Sequence, residues 1–266
     1  MPEIAAAIQL LLASVDEDEE SHFRFLCDGK HVKYLTVAAG LYTAEEMCFG
    51  PVFVSLLPHL PPGDWNCGHV SQCPANHKPY FAQVTNTKLP GIQCVWHSTH
   101  VNHLDLTYGI KLRSGVYEAT SSKLPDTVVA KFARFPWEIR ALEKETEAYQ
   151  CINGQDIGPQ FLGHIVEEGR TIGFLMEKIT DARHAGEGDL RICQQKLSML
   201  HQMGILHGDI NRFNFLIKMG CVTLLDFENA RKCDSVEELD QELQALAQQL
   251  SAISGRGGNI PVETEV

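Results

Sequence analysis

The segment HGDINRFNFLIKMGCVTLLDFE, residues 207–228, decides which fold this chain is expected to adopt. Its two apolar runs each lie beside acidic or amide residues, and a hairpin between them would bring Asp209, Asn214 and Asp226 to one edge. Phosphoryl transfer needs such a trio, because one group must accept a hydroxyl proton while hard oxygen ligands hold Mg²⁺ between phosphates. The segment therefore indicates a phosphoryl-transfer site.

The sequence around this segment alternates strand-like and helix-like patterns. Pro136 suits the first turn of one helix, and Asp189 precedes a second. Ser235 and Glu238 form a capping box for a third helix, which is predicted to run to Gly255. The order of strands, helix, strands, helix, loop and helix predicts an α+β fold. β-Branched and aromatic runs predict strands at 104–112, 116–120, 127–132, 161–166 and 171–176.

Composition and charge narrow the class of protein. The 266 residues carry 22 Lys and Arg against 34 Asp and Glu, a net charge of −12, and 44% are hydrophobic. This apolar fraction is typical of a globular protein, and the acidity argues against a nucleic-acid partner because a phosphate backbone would be repelled. Nine cysteines without a signal peptide favour free thiols in an intracellular, cytoplasmic protein.

The first 104 residues differ in pattern from the rest. Prolines between 51 and 91 break helices and indicate short strands joined by turns. An amphipathic helix, too short to span a membrane, is predicted near the start because apolar residues recur there at helical spacing. These residues are Ile4, Ile8, Leu11, Leu12 and Val15.

A cysteine and histidine array in the same region raises the alternative of a zinc site. Cys67, His69, Cys73 and His77 carry the thiol and imidazole groups that Zn²⁺ prefers. Their spacing differs from the usual cysteine pairs, and a turn-rich segment also exposes such groups without a metal. Both alternatives stay open on the sequence.

Residues 207–228 resemble the catalytic and metal loops of the protein-kinase-like superfamily, H-x-D-x-x-x-x-N followed by D-F. The resemblance implies that Asp209 is the catalytic base and that His207 is a structural member of the loop. It further implies that Asn214 and Asp226 are Mg²⁺ ligands and that ATP is the nucleotide.

Upstream segments extend the resemblance in the expected order. The strand lysine that binds the α- and β-phosphates is matched by Lys131 in Val-Val-Ala-Lys. Its helix partner is best matched by Glu145, with Glu147 as the alternative. The hinge that contacts adenine would include Glu177 and Ile179. These matches imply that Lys131, Glu177 and Ile179 contact the nucleotide directly, whereas the helix glutamate acts through Lys131.

Three departures separate the chain from the family pattern. Gly109 and Gly115 do not form G-x-G-x-x-G, which leaves Gly115 as the candidate phosphate-loop glycine. Glu228 replaces the glycine of D-F-G, as in choline kinases and aminoglycoside-phosphotransferase-like enzymes. Asn211 stands where Ser/Thr kinases carry lysine. No peptide platform follows, so the large lobe would be compact, as in RIO-type kinases.

A longer resemblance covers most of the chain. From Pro61 to Asp209 the sequence is similar to a group of fungal kinase-like proteins, some of which carry an α-galactosidase label. A retaining glycosidase needs two carboxylates about 5 Å apart, usually on a barrel. The acidic motif here matches metal binding instead, which argues against that label.

The resemblance predicts an α+β, kinase-like two-lobed fold with a truncated helical large lobe. Residues 1–104 would form an N-terminal extension and residues 105–266 a kinase-like domain. That domain would comprise a small lobe at 105–178, a large lobe at 179–256 and a tail at 257–266. The implied function is ATP·Mg²⁺-dependent phosphorylation of a hydroxyl on a small molecule or a protein. The alternative is a pseudokinase, a scaffold that binds a nucleotide or a partner without turnover.

Overall fold

A computed structural model of the chain describes residues 8–124 and 126–252. The structure is mixed α+β, and the chain divides into two units, Met1–Pro90 and Gly91–Val266. No helix in the described ranges combines the length and the apolar character that crossing a membrane requires. The strands of the first unit are β1 (Ile8–Ser14), β2 (Ser21–Cys27), β3 (His31–Val37), β4 (Cys67–Gln72) and β5 (Pro79–Thr85), and its helices are α1 (Ala44–Cys48) and α2 (Gly50–Leu56).

The first unit is built on a five-stranded sheet with the strand order β1-β2-β3-β4-β5. Neighbouring strands are antiparallel except for β3 and β4, which are parallel, and α1 and α2 lie in the connection between them. Phe53 of α2 is fully buried, and its ring centroid lies 4.2 Å from that of Phe23 on β2. The core of this unit is therefore apolar and rich in aromatic rings.

The prediction of a helix near the start of the chain is wrong for the described residues. Ile8–Ser14 is strand β1, which pairs with β2, whereas Ile4 lies outside the described residues. The register shifts between Leu10 and Leu12, which marks a β-bulge. A bulge interrupts the alternation of inward and outward side chains, so the apolar residues of this strand lack a period of two.

The proline-rich region contains both strands and a helix. Strands β4 and β5 agree with the prediction of short strands, but α2 contains Pro51. Proline is tolerated there because it lies in the first helical turn, where its missing N–H has no intrahelical partner.

The second unit contains a six-stranded sheet with the strand order β6-β10-β11-β9-β8-β7, and helix α3 connects β9 to β10. The helix after Pro136 and the strands predicted at 116–120, 127–132, 161–166 and 171–176 are confirmed, whereas the strand predicted at 104–112 begins only at Thr107, because His103–Asp105 forms a short 3₁₀ helix. Residues 91–104 were predicted to belong to the N-terminal extension, but β6 pairs in parallel with β10 and places them in this unit. The elements of this sheet are β6 (His100–Asn102), β7 (Thr107–Arg113), β8 (Val116–Thr120), β9 (Val128–Phe132), α3 (Ile139–Ile152), β10 (Phe161–Glu167) and β11 (Arg170–Glu177).

The rest of the second unit combines two helices with short strands, which pair as β12-β14-β15 and as β13-β16. The two predicted helices are confirmed. At the start of the last helix, Ser235 accepts a hydrogen bond from the Glu238 backbone N–H. The predicted end of this helix at Gly255 and the predicted tail at 257–266 lie outside the described residues. The elements are β12 (Arg183–His184), α4 (Leu190–Gln202), β13 (Ile205–Leu206), β14 (Phe215–Lys218), β15 (Cys221–Leu224), β16 (Arg231–Lys232) and α5 (Val236–Ser251).

Candidate functional site

A buried lysine lies near the middle of the six-stranded sheet. Strand β9 pairs with β8 on one side and β11 on the other, and all of its residues are buried, including Lys131. The Lys131 ammonium lies 2.5 Å from Glu145 Oε2 and 2.6 Å from Asp226 Oδ1. A buried ammonium requires such partners, because an unpaired charge in a protein interior is strongly unfavourable.

Helix α3 supplies the first carboxylate. Leu142, Glu145 and Tyr149 recur at spacings of three and four residues and are all buried, so they share the inward face of the helix. Glu147 is exposed on the outer surface. Of the two glutamates considered from the sequence, the structure therefore pairs Glu145 with Lys131.

Asp226 supplies the second carboxylate from the end of strand β15. Its backbone is left-handed, with φ of 62°, and the next residue, Phe227, is buried with its ring centroid 5.3 Å from that of Tyr149. Aspartate is among the residues that adopt this conformation most readily. The turn places the Asp226 side chain beside Lys131, while Phe227 packs into the core.

Arg113 completes the cluster and was not identified from the sequence. It lies at the end of β7, and its Nη1 donates a hydrogen bond to Asp226 Oδ2 over 2.7 Å. We refer to Arg113, Lys131, Glu145 and Asp226 as the ion cluster. Arg113 and Asp226 are 113 residues apart, so no local spacing in the sequence could have paired them.

The charges within the ion cluster shift each other's protonation. Burial opposes ionisation of Asp226, but Lys131 and Arg113 outweigh this effect and hold its pKa well below the usual range. Burial raises the pKa of Glu145, although Lys131 opposes that shift. Burial also disfavours the charged form of Lys131, but Glu145 and Asp226 outweigh it and raise the lysine pKa. The cluster thus favours the charged forms of Lys131, Arg113 and Asp226, whereas burial acts against the charged form of Glu145.

A second group of polar side chains surrounds Asp209. Asn211 Nδ2 donates to Asp209 Oδ1 over 2.9 Å, and Asn214 Nδ2 donates to Asp209 Oδ2 over 3.1 Å. We call Asp209, Asn211 and Asn214 the acid–amide turn. Both carboxylate oxygens of Asp209 are therefore oriented as acceptors by amide groups rather than by cations.

Backbone contacts bring the acid–amide turn and Asp226 to the same edge of the second unit, as the predicted hairpin required. Strand β14 pairs with β15, and the Leu225 N–H donates to the Asn214 carbonyl over 2.9 Å. Leu225 directly precedes Asp226, so this hydrogen bond connects the two groups.

His207 supports this arrangement from the interior. Its Nε2 donates to the Leu225 carbonyl, and its Nδ1 accepts from the Asp209 N–H. Burial lowers the pKa of His207, which keeps the ring neutral and suited to donating through one nitrogen while accepting through the other. His207 is thus placed as a structural residue of the loop.

Glu242 is a further residue that sequence reasoning missed. It lies on α5, and its carboxylate accepts hydrogen bonds from the backbone N–H groups of His207 and Gly208 and from His201 Nε2. In the sequence it looks like an ordinary solvated glutamate of an amphipathic helix, although it lies three residues after Leu239 and four before the buried Leu246. Glu242 instead fixes the loop that precedes Asp209.

The donor atoms at this edge suit Mg²⁺. Asn214 uses its Nδ2 to bind Asp209, which leaves its Oδ1 as the ligand atom, and Asp226 provides a carboxylate. Glu228, 3.9 Å from Lys131 Nζ, adds a half-exposed carboxylate. Across residues 8–124 and 126–252, no three His, Cys, Asp or Glu side chains form a preformed metal group. Mg²⁺ commonly binds through one or two carboxylates together with substrate phosphates, so this incomplete set fits that ion.

The remaining predicted nucleotide contacts lie near the ends of strands. Glu177 ends β11 and is exposed, and its backbone N–H donates to the Gln160 carbonyl. Ile179 follows it in a half-buried position. Gly115 has φ of 70° in the turn after Arg113, and its carbonyl accepts from the Phe132 N–H, which ties the turn to β9 beside Lys131.

The zinc alternative has no support in the described residues. Within residues 8–124 and 126–252, the side chains of Cys67, His69, Cys73 and His77 do not form a group that could hold a metal ion. His69 Nε2 instead lies 3.1 Å from Glu20 Oε1, while the Cys73 N–H donates to the Lys78 carbonyl in a turn.

Comparisons with family models and with curated proteins produced no match to this chain. The function proposed below therefore depends on the ion cluster and the acid–amide turn. Both groups lie within the second unit, between Gly91 and Val266.

Proposed function

We propose that this protein is an ATP·Mg²⁺-dependent phosphotransferase that phosphorylates a hydroxyl group. One observation carries the proposal: Lys131 lies between Glu145 and Asp226 in a buried cluster. The backbone next to Asp226 is hydrogen-bonded to the Asp209 loop, through the Leu225 N–H and the Asn214 carbonyl. Burying charges costs free energy, and buried ion pairs generally add little net stability to a fold. The presence of this cluster is therefore better explained by binding of a charged ligand.

The proposed fold is kinase-like and two-lobed. The six-stranded sheet with α3 would be the small lobe, and α4, α5 and the short strands β12 to β16 would be a truncated large lobe. The segment after Glu177, where β11 ends, would be the hinge between them. Its backbone, with Glu177 and Ile179, would contact the adenine ring.

Each polar group then has a chemical task. Lys131 binds the α- and β-phosphates, and Glu145 holds the lysine in position. Asp226 and Asn214 would hold Mg²⁺, whose positive charge would neutralise the phosphates. Asp209 accepts the proton of the attacking hydroxyl, because its carboxylate is free of cations and is aimed by two amides.

The acceptor is a small molecule or a protein. Asn211 favours a small molecule, because it stands where protein Ser/Thr kinases carry a lysine and its amide is committed to Asp209 and the Phe213 N–H. Glu228 also favours a small-molecule acceptor, because it replaces the glycine of D-F-G as in choline kinases.

A pseudokinase scaffold is the second candidate, and a specific observation favours it. Lys131 and Arg113 together engage both carboxylate oxygens of Asp226. A metal ion that binds Asp226 would have to displace at least one of these cations. If neither cation is displaced, the protein cannot hold the metal and would not support turnover.

Calorimetric titration with ATP and Mg²⁺ tests the proposal. Wild-type protein should bind Mg·ATP, and Asp226→Asn should lose that binding because the metal loses its carboxylate. Asp240→Asn, an exposed position on α5, is the matched control and should bind normally. Absence of metal-dependent binding by the wild type would remove the enzyme proposal.

Turnover separates the two candidates. Asp209→Asn should retain Mg·ATP binding but lose phosphate transfer to water, to the protein itself or to a hydroxyl substrate. Transfer by the wild type that Asp209→Asn abolishes supports an enzyme. Wild-type binding without any transfer, across a screen of hydroxyl compounds and peptides with labelled ATP, supports the scaffold.

A further inference from the structure

The hairpin of β7 and β8 carries the cation Arg113 beside its turn, where the kinase-like pattern has a glycine-rich loop. Strands β7 and β8 are joined by Ser114 and Gly115, and Arg113 immediately precedes this turn. A glycine-rich loop binds phosphates through backbone N–H groups, but this turn lacks the glycine spacing that permits such close approach. A different group must therefore neutralise phosphate charge on this side of the site.

Arg113 and Lys131 are held to different degrees. Lys131 is 8% exposed and bridges two carboxylates, whereas Arg113 is 40% exposed and forms an ion pair with Asp226. Asp226 is buried, but water can solvate the partly exposed guanidinium of Arg113 when it separates from the carboxylate, whereas the ammonium of Lys131 is shielded from water. Arg113 is therefore the cation of the cluster that can leave Asp226 at least cost.

The strand that bears Arg113 is also suited to movement. Strand β7 is at the edge of the six-stranded sheet, and nearly all of its residues are exposed. Its pairing with β8 shifts register between Tyr108 and Lys111 and again between Lys111 and Arg113. Exposure and irregular pairing therefore favour movement of the Arg113 side chain, whereas the turn itself stays tied to β9 through the Gly115 carbonyl and the Phe132 N–H.

We propose that Arg113 is a phosphate-binding residue that exchanges partners when nucleotide binds. Without nucleotide, its guanidinium occupies Asp226 Oδ2 and blocks that oxygen from a metal ion. With Mg·ATP, Asp226 would hold the metal and Arg113 would bind the phosphates of the nucleotide. This inference rests on the proposed function and assigns a residue to the triphosphate within the same site.

Charge and geometry support the exchange. The ion cluster without ligand sets two cations against the carboxyl groups of Glu145 and Asp226, so Mg²⁺ alone would enter a cluster without excess negative charge and compete with an arginine. A nucleotide triphosphate brings the negative charge that Arg113 needs as a new partner, and guanidinium groups bind phosphate oxygens in pairs. Metal and nucleotide are therefore expected to bind together rather than separately.

Two titrations of Arg113→Gln test the proposal, because the substitution has opposite expected effects in them. Mg²⁺ alone should bind about tenfold more tightly than to the wild type, since Asp226 is no longer occupied. Mg·ATP should bind about tenfold more weakly, since a phosphate contact is lost. Lys111→Gln removes an equal charge from the same strand at an exposed position and should change neither affinity.

Each outcome of these titrations decides between the alternatives. If Arg113→Gln weakens both affinities, or leaves Mg·ATP binding at the wild-type level, Arg113 is not a phosphate ligand and the inference is overturned. If the wild type binds no Mg·ATP, the proposed function fails as well, so the two failures are distinguishable. Arg113→Lys keeps the charge without paired donors and should give an intermediate Mg·ATP affinity. Thermal unfolding of each variant should confirm that it is folded.

Discussion

The two units of this protein differ in the polarity of their cores. In the described part of the first unit, Ser21 and Arg24 are the buried polar side chains, and the core is made of aromatic and aliphatic groups. In the second unit, the residues that the structure describes include ten buried polar or charged side chains, namely His103, Lys131, Glu145, Thr146, His164, Glu167, Thr171, His207, Asn214 and Asp226.

This difference indicates where stability and chemistry are located. Burying apolar area stabilises a fold directly, whereas burying a charge pair is close to neutral at best and is often worse than an apolar replacement. The first unit thus has a core that stability alone explains. The second unit buries charged side chains that a core serving stability alone would not need.

The largest expected effect follows from removing the central cation of the second unit. Lys131→Met leaves two buried carboxylates facing each other and should lower the free energy of unfolding by about 3–5 kcal/mol. Mg·ATP binding should be lost at the same time. Chemical denaturation and calorimetry measure the two effects.

A double variant separates charge from function. Lys131→Met combined with Glu145→Leu removes one cation and one carboxylate, and Asp226 keeps Arg113 as its partner. Most of the lost stability should return, but nucleotide binding should not. Recovery of binding together with stability would show that the ion cluster is structural.

The apolar unit should respond in the opposite way. Phe53→Ala removes a fully buried ring that packs against Phe23, Phe25 and Tyr42, and it should cost about 3–5 kcal/mol of stability. The affinity for Mg·ATP, measured well below the unfolding temperature, should stay at the wild-type value. Phe49→Ala, at a position 60% exposed, is the control and should change neither quantity.

The sequence was informative where interacting residues are close along the chain or follow a period. Asp209 and Asn214 belong to one turn, so a short motif was enough to indicate them, whereas the family resemblance favoured Glu145 over Glu147 on a regular helix. Strands β9, β10 and β11 are likewise dense runs of buried apolar residues.

Interactions between distant segments were not predictable in the same way. Arg113 reaches Asp226 across the fold, and Glu242 binds the loop before Asp209 from a separate helix. Neither residue has a local signal, because an arginine on an exposed edge strand and a glutamate on an amphipathic helix are ordinary surface residues. Strand β1 was mistaken for a helix because its bulge removes the period that identifies a strand.

The pH dependence of stability should also distinguish the two units. Burial, with contributions from His100 and His97, lowers the pKa of His164 in the second unit from 6.5 to about 4. Between those pH values the unfolded residue takes up a proton that the folded residue does not, so stability falls as pH falls through this window. The loss should reach about 2 kcal/mol once solvent screening is included.

Substitution of His164 measures that contribution. His164→Gln keeps an acceptor for the His97 N–H and should reduce the slope of stability against pH between 6.5 and 4. His59→Gln, an exposed position in the first unit, should leave the slope unchanged. Equal slopes in wild type and His164→Gln would show that other buried groups control acid unfolding.

The smallest effect on stability, and the most specific effect on chemistry, is expected at Glu242. Glu242→Gln replaces one of the two carboxylate oxygens with an amide group, which cannot accept a hydrogen bond from the loop, and should cost about 1–2 kcal/mol. Because Glu242 holds the Asp209 loop but does not contact the ion cluster, phosphate transfer at saturating nucleotide should fall at least about tenfold while the affinity for Mg·ATP changes less than about twofold. Glu238→Gln on the same helix, which loses only an exposed pair with Arg231, should leave both values unchanged. A parallel fall in affinity would mean that the acid–amide turn and the ion cluster respond as one unit, and that Glu242 supports both.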